Sequence, residues 1–232
     1  MISHPLECKK FEDNADIVLV RNIWPLEKYL KKWNKILSRF KRKNKKIYNH
    51  PSGLADMKGK YYLLDLYKKG FRVIPSVDKI KDLCKIPETK YYIIKPIYGG
   101  GSIGVKKLSK KQLLKTKLQN YIIQPYINFK YETSFYFIDG KFQYELYEKD
   151  KKNRWDLRHH KVKKQDREFA ENFIKWNKLK YGIQRIDACR TKDNKLLLME
   201  IEDFCPYLSI PDIKEKLRSK FIRNLIKSIN KI

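Results

Sequence analysis

The chain is poor in the residues that build structural metal sites and disulfide frameworks. Its 232 residues include four cysteines and four histidines. Cys8, Cys84, Cys189 and Cys205 are scattered and form no CxxC pair, which argues against structural zinc and fits reduced thiols in a cytoplasm. Long apolar runs are missing as well. None approaches the ~18 residues of a membrane span, and Met1-Ile-Ser-His-Pro5 lacks the charged-then-apolar order of a signal peptide. No repeat or low-complexity linker divides the sequence. Acidic residues are scarce, 26 Asp and Glu against 54 Lys and Arg, for a formal net charge of +28. What is abundant is core material: 42% hydrophobic and 13% aromatic residues suffice for one large domain or two small lobes.

A charge of +28 favours contact with polyanions: nucleic acid, anionic lipid or an acidic protein. The lysines are nevertheless spread along the whole length. Their company of abundant Asn, Ile and Tyr is what a compositional bias of the source genome produces. The densest run, Arg39-Phe-Lys-Arg-Lys-Asn-Lys-Lys46, reads as a solvated helix end and loop.

Hydrophobic periodicity gives the order of elements. A strand at 16–20 precedes an amphipathic helix near 25–40 carrying Leu26, Tyr29, Leu30, Trp33, Ile36 and Leu37, then a short strand at 47–51. Helices are expected at 58–69, stopped by Gly70, and at 76–84. Strand 91–96 leads into a glycine cluster at 99–104, followed by helix 109–117 and strand 121–124. Strands 133–138 and 142–148 flank Asp139-Gly140, a hairpin signal. The polar stretch 149–165 reads as a loop or edge segment before a helix at 165–179, a hairpin over 183–201 turning at Lys192-Asp193-Asn194, and a helix over 211–229. This is an α+β order: a small αβ lobe, a hinge near 124–130, and a larger antiparallel lobe.

Two stretches carry chemistry. The apolar strand Lys195-Leu-Leu-Leu-Met-Glu-Ile-Glu-Asp203 ends in three carboxylates. Glu200 and Glu202 share a face roughly 7 Å apart, which is unfavourable unless a cation offsets them. In Ile93-Ile-Lys-Pro-Ile-Tyr-Gly-Gly-Gly-Ser-Ile-Gly104, Lys95 ends a strand just before a flexible loop. Glycines let backbone N–H groups approach phosphate oxygens, and lysine supplies point charge. The spacing matches neither GxxxxGK[ST] nor GxGxxG.

Lys60 opens a helix stretch running to Gly70-Phe-Arg-Val-Ile-Pro75, and Gln124-Pro-Tyr-Ile127 closes a strand. Glu132 follows the hinge, Asp156-Leu-Arg158 lies in the polar stretch, and Asp187 precedes Met199-Glu-Ile-Glu202. In this order the elements resemble the ATP-grasp superfamily over about residues 56–210, most of all its glutathione-synthetase-like and ribosomal-protein-glutamate-ligase-like members. The resemblance implies an ATP-grasp fold of two α+β lobes gripping a nucleotide. It divides the chain into a truncated pre-grasp segment (1–56), an N-terminal lobe with the glycine-rich loop (57–124) and a C-terminal lobe with the metal site (125–232).

Residue by residue, the resemblance implies that Lys60 and Lys95 contact phosphates beneath the backbone of Gly99, Gly100, Gly101 and Ser102. The Gln124 side chain, the Pro125 carbonyl and the Ile127 N–H, with Tyr126 between them, would meet adenine, and Glu132 the ribose. Asp187, Glu200 and Glu202 would bind Mg²⁺, or Mn²⁺ as another hard cation. Arg158 and Arg185 would stabilise transferring phosphate. His159 and His160 lie beside Arg158, where an acceptor could bind. The implied activity is ATP-dependent ligation of a carboxylate to an amine through an acyl-phosphate, with an acidic peptide or carrier protein as one kind of acceptor. The sequence departs from the resemblance at Cys205-Pro206-Tyr207 and in having only about 55 residues before Lys60. Two other readings stay open: a basic nucleic-acid-binding module, and a non-catalytic nucleotide-binding subunit. The oligomeric state, a homo-oligomer included, stays open too.

Overall fold

The structure, a computed structural model, describes residues 1–21, 26–148, 156–159 and 162–232. His160, Asn22 to Pro25 and the 149–155 part of the polar stretch lie outside the described residues. In chain order the strands are β1 (Ile17–Leu19), β2 (Lys46–Tyr48), β3 (Tyr91–Pro96), β4 (Lys106–Ser109), β5 (Tyr121–Pro125), β6 (Tyr131–Ile138), β7 (Lys141–Glu148), β8 (Leu157–His159), β9 (Ile183–Arg190) and β10 (Leu196–Glu202). The α-helices are α1 (Leu26–Arg42), α2 (Tyr62–Lys68), α3 (Lys110–Lys115), α4 (Lys164–Asn177) and α5 (Glu215–Ile229). No helix among the described residues is long and apolar enough to cross a membrane, and none of the four cysteines is in a disulfide.

Two antiparallel sheets position the site. The larger has the order β10-β9-β6-β7-β8, and the smaller β4-β3-β5. β6 and β7 meet at Asp139 (φ 49°) and Gly140 (φ 72°), the pair of positive φ angles that a tight hairpin turn requires. Strand alternation divides the large sheet into two faces. Phe135, Phe137, Ile186, Ala188 and Leu198 point to one side, where Phe169, Ala170 and Phe173 of α4 and Tyr62, Leu63 and Leu66 of α2 bury them. On the other side Tyr136, Tyr144 and Leu146 pack with Tyr48 and with Phe221 of α5. That second cover reaches only part of the face; the remainder opens into the cleft.

The small sheet has its own core of Ile94, Tyr92, Ile123 and Leu113. At the amino end β1 and β2 are parallel, a pairing that needs a crossover, and α1 supplies it. One extended segment ties the two large units together. Leu198 N–H donates to Arg72 O at 2.9 Å and Ile74 N–H to Leu198 O at 3.1 Å, while Val77 and Ile123 exchange bonds of 3.0 and 2.7 Å.

Two expected elements differ, and one strand is new. The helix over 58–69 is a 3-10 turn (Asp56–Lys58) followed by α2, because Gly59 at φ 89° interrupts it. The helix over 76–84 is a 3-10 stretch, Ile80–Lys85: the Val77 bonds to β5 keep the chain extended past its expected start. β4 was not expected. Its Lys106-Lys107-Leu-Ser109 has no apolar alternation, and it forms by pairing with β3 at the sheet edge, where lysines also discourage further pairing.

Candidate nucleotide cleft and acidic cluster

A cavity of about 860 Å³ lies between the sheets. On the large sheet β9 sets Asp187 opposite Glu200 and Arg185 opposite Glu202. The ladder slips between Leu198 and Glu200, so Met199 is bulged. The bulge turns Met199 as well as Glu200 and Glu202 to the cavity. Asp187, Glu200 and Glu202 each offer a carboxylate oxygen within 4.8 Å of the others.

Cations surround this cluster. Arg185 forks across it, with Nη2 donating at 2.8 Å to both Asp187 Oδ2 and Glu202 Oε1. Lys60 Nζ donates to Glu200 Oε2 at 2.9 Å and pairs with Asp56, four residues earlier. Burial works against the Glu200 charge, but Lys60 and then Lys95 outweigh it and hold the group down at about 2. Burial also opposes the Lys60 charge, yet Asp56 and Glu200 keep it well above the usual lysine range. Glu202 goes the other way. Burial pushes it up to about 8 against Arg185, with Asp187 and Glu200 adding their repulsion.

Lys95 ends β3 on the small sheet. Burial lowers its pKa, Glu200 pulls upward, and Lys60 adds to the lowering. Among the described residues no ion pair involves Lys95. After it, Gly101 (φ 58°), Ser102 (φ 62°) and Gly104 (φ 77°) turn the loop back toward β4. Gly99 N–H bonds Pro96 O and Ile103 N–H bonds Gly100 O. At the opposite end of the cavity floor, Gln124 Nε2 donates to Ser76 Oγ at 2.9 Å, which in turn donates to Ile74 O. Ile74, Ile93 and Met199 give this end apolar walls.

The third carboxylate of the run has a different place. Asp203 is fully buried and accepts Ala55 N–H at 3.1 Å and Met57 N–H at 2.9 Å, so it caps the turn that carries Asp56 and leads to Lys60.

In overall structure the chain is similar to D-cycloserine synthetase DcsG, with a TM-score of 0.66 at 17% identity, over 91% of this chain and 84% of that one. It is similar also to the ATP-grasp ligase PsnB complexed with a precursor peptide and AMPPNP (TM-score 0.60, 16% identity, 90% and 76% covered). A third likeness is to D-alanine–D-alanine ligase from Bacillus anthracis complexed with ATP (TM-score 0.62, 14% identity, 88% and 73% covered). The chain has the ATP-grasp fold. No family model and no curated protein matches the sequence.

Within the ATP-grasp fold the sequence-expected residues gather almost completely. Lys60, Lys95, Gly99, Gly100, Gly101, Ser102, Gln124, Pro125, Tyr126, Ile127, Glu132, Arg185, Asp187, Glu200 and Glu202 all line the one cavity. Arg158 lies apart. β8 pairs Leu157 with Glu148 and His159 with Leu146, so Arg158 shares the opposite face with Tyr147. Its side chain is 56% exposed and pairs with Asp156 at 3.0 Å. Other cavity residues escaped the sequence reading, among them Asp56, Arg21, Glu148 and Met199. Asp56 had a usable signal in its i,i+4 spacing to Lys60. Arg21, whose Nη2 donates to Pro206 O at 2.7 Å, had none.

Proposed function

We propose that the chain is an ATP- and Mg²⁺-dependent ligase that joins a carboxylate to an amine through an acyl-phosphate, releasing ADP and phosphate. One observation carries this reading. The cleft holds three clustered carboxylates on the large sheet and, on the small sheet, a half-buried lysine with no ion-pair partner among the described residues. A triphosphate with its metal answers both needs at once.

The donor set fits a hard cation. Mg²⁺ takes hard oxygen ligands, which these three carboxylates would supply. Asp187, Glu200 and Glu202 offer such oxygens within 4.8 Å of one another. When bound there, the ion would supply positive charge that neutralises charge developing on the phosphates.

The residues of the chain have separable tasks in this reading. Ile74, Ile93 and Met199 enclose the base, which the segment from Gln124 to Ile127 meets along its edge. Glu132 takes the ribose hydroxyls. Lys60 and Lys95 hold phosphates, and the loop from Gly99 to Ser102 folds over them and excludes water. A carboxylate oxygen of the donor attacks the γ-phosphorus and the bond to ADP breaks. The amine nitrogen then attacks the acyl carbon, phosphate departs with the C–O electron pair, and the proton on nitrogen passes to water. Arg185, already seated beside the acidic cluster, is placed to stabilise the transferring group; Arg158 would reach it only if β8 turned over.

The test is ADP release with Mg²⁺ present, screened over amino acids and short peptides. In Glu200→Gln the rate should fall at least ~100-fold while the fold is retained. Full activity in that variant refutes the assignment. ATP with Mg²⁺ should also raise the melting temperature, as any ligand selective for the folded state must.

A further inference from the structure

Glu148, the last residue of β7, has no place in this scheme. It is only 6% exposed and lines the cavity. Register puts it on the cleft face: it pairs with Leu157, and Leu146, two residues earlier, also lines the cavity. Among the described residues no hydrogen bond or ion pair reaches its carboxylate, although the chain carries 54 Lys and Arg. The surroundings make this costly. Leu146 and Leu157 are apolar neighbours, and Glu132 occupies the next cross-strand place on β6, beyond the Thr133–Tyr147 pair. A carboxylate with so little exposure, set beside a second one, favours a cation, and among the described residues none is supplied.

We infer that Glu148 anchors a subsite for an ammonium or guanidinium group carried by one of the two substrates, an inference that rests on the ligase reading for its setting. Two strand spacings and two residues of rise separate it from Asp187, about 12 Å in all. That distance is too long for the reacting amine to touch Glu148 while it attacks a carboxylate activated at the acidic cluster. The cation bound here is therefore a second, non-reacting charge, such as the side chain of a basic residue. Its role is selection: a substrate with a neutral group at this point would cover the Glu148 carboxylate without pairing it. The positive surface of the chain sharpens the argument. A net charge of +28 repels small cations in general, so retention of one demands a specific partner.

The experiment is thermal denaturation of the full chain with lysinamide or argininamide, each compared with norleucinamide, which has the same α-amine and a neutral side chain. One or both cationic amides should raise the melting temperature by at least ~2 °C at concentrations well above Kd, norleucinamide should not, and Glu148→Gln should abolish the difference. Without any probe, Glu148→Gln should melt no lower than the parent, because no partner among the described residues is lost. The inference is overturned if neither cationic amide stabilises, if norleucinamide does as well, or if the effect survives in Glu148→Gln. It is overturned equally if Glu148→Gln melts lower, which marks a structural group, or if stabilisation by Mg²⁺ alone is what the variant loses. Failure of ATP with Mg²⁺ to stabilise the parent, with the lysinamide effect intact, would sink the ligase reading and leave the cation subsite standing.

Discussion

Replacing Gly53 with alanine should damage the cleft from a distance. A Cβ at this position would lie 2.2 Å from Asp203 Oδ2 and 3.0 Å from both Asp203 Cγ and Met57 Cε. Asp203 cannot retreat, since it is fully buried and already holds Ala55 N–H and Met57 N–H. Displacing Oδ2 removes a hydrogen bond between a charged acceptor and a backbone donor, about 1.5–3 kcal/mol. Crowding a close-packed site adds about 1–3 kcal/mol. The sum, ~3–5 kcal/mol, corresponds to a fall in melting temperature of roughly 10 °C for a chain of this size. The turn held by Asp203 carries Asp56 and runs into Lys60, so stabilisation by ATP with Mg²⁺ should shrink as well. Urea denaturation of Gly53→Ala, Asp203→Ala and the double variant measures the clash directly. In the Asp203→Ala background the new methyl has room, and the coupling energy should be about 2–3 kcal/mol. Additive effects, or a Gly53→Ala loss below ~0.5 kcal/mol, would refute the reasoning.

Three further outcomes follow from particular contacts. Burial pushes Glu145 up to about 7 despite a 2.5 Å hydrogen bond donated by Thr133, so the folded state binds a proton that the unfolded state releases near 4.5. Stability from this group is therefore full below pH ~4.5 and falls as pH rises to ~7, by about 3 kcal/mol in all; Glu145→Gln should flatten that part of a stability–pH curve, and an unchanged slope contradicts the assignment. Arg185→Ala should lower ADP release by ~100-fold or more, while Arg158→Ala should change it less than ~3-fold; the reverse ranking would return Arg158 to the site. In amide exchange, Ile74, Val77, Ile123 and Leu198, bonded across the two sheets, should be protected without ligand. Gly100 and Gly101 should exchange quickly and slow down when ATP and Mg²⁺ are added, and equal protection of both groups would argue against a loop that closes.

The sequence announced most of the large sheet, because half-buried strands alternate and Asp139-Gly140 names its own turn. It announced the pairing of Glu200 with Glu202 for the same reason: two residues apart on a strand is one face. It could not announce Met199, which reaches the cleft only through the slip in register between Leu198 and Glu200. Arg158 failed for the complementary reason. A motif gives the spacing Asp156-Leu-Arg158, but which of these faces the cleft depends on the partner register that seats Leu157 opposite Glu148. β4 and the 3-10 stretch after Val77 were hidden because their conformation is imposed by neighbours and not by their own periodicity. Asp203 was legible as a carboxylate at a strand end, but its task as a cap for residues 55–57 is a long-range contact that no local pattern encodes.

The distribution of charge around the cavity differs from that of the whole chain. Over the whole chain basic residues outnumber acidic ones by 54 to 26. Around the cavity the balance reverses: Asp56, Glu132, Glu148, Asp187, Glu200 and Glu202 face Arg21, Lys60, Lys95 and Arg185. A nucleotide triphosphate is itself an anion, and a cleft with more acids than bases would repel it if side chains were the only charges present. Acids kept at that place are intelligible if cations arrive with the ligands: divalent ions at Asp187, Glu200 and Glu202, and an organic cation at Glu148. On the proposed reading the surrounding positive surface would draw the polyanion in at long range, and the local acids would decide which counter-ions accompany it.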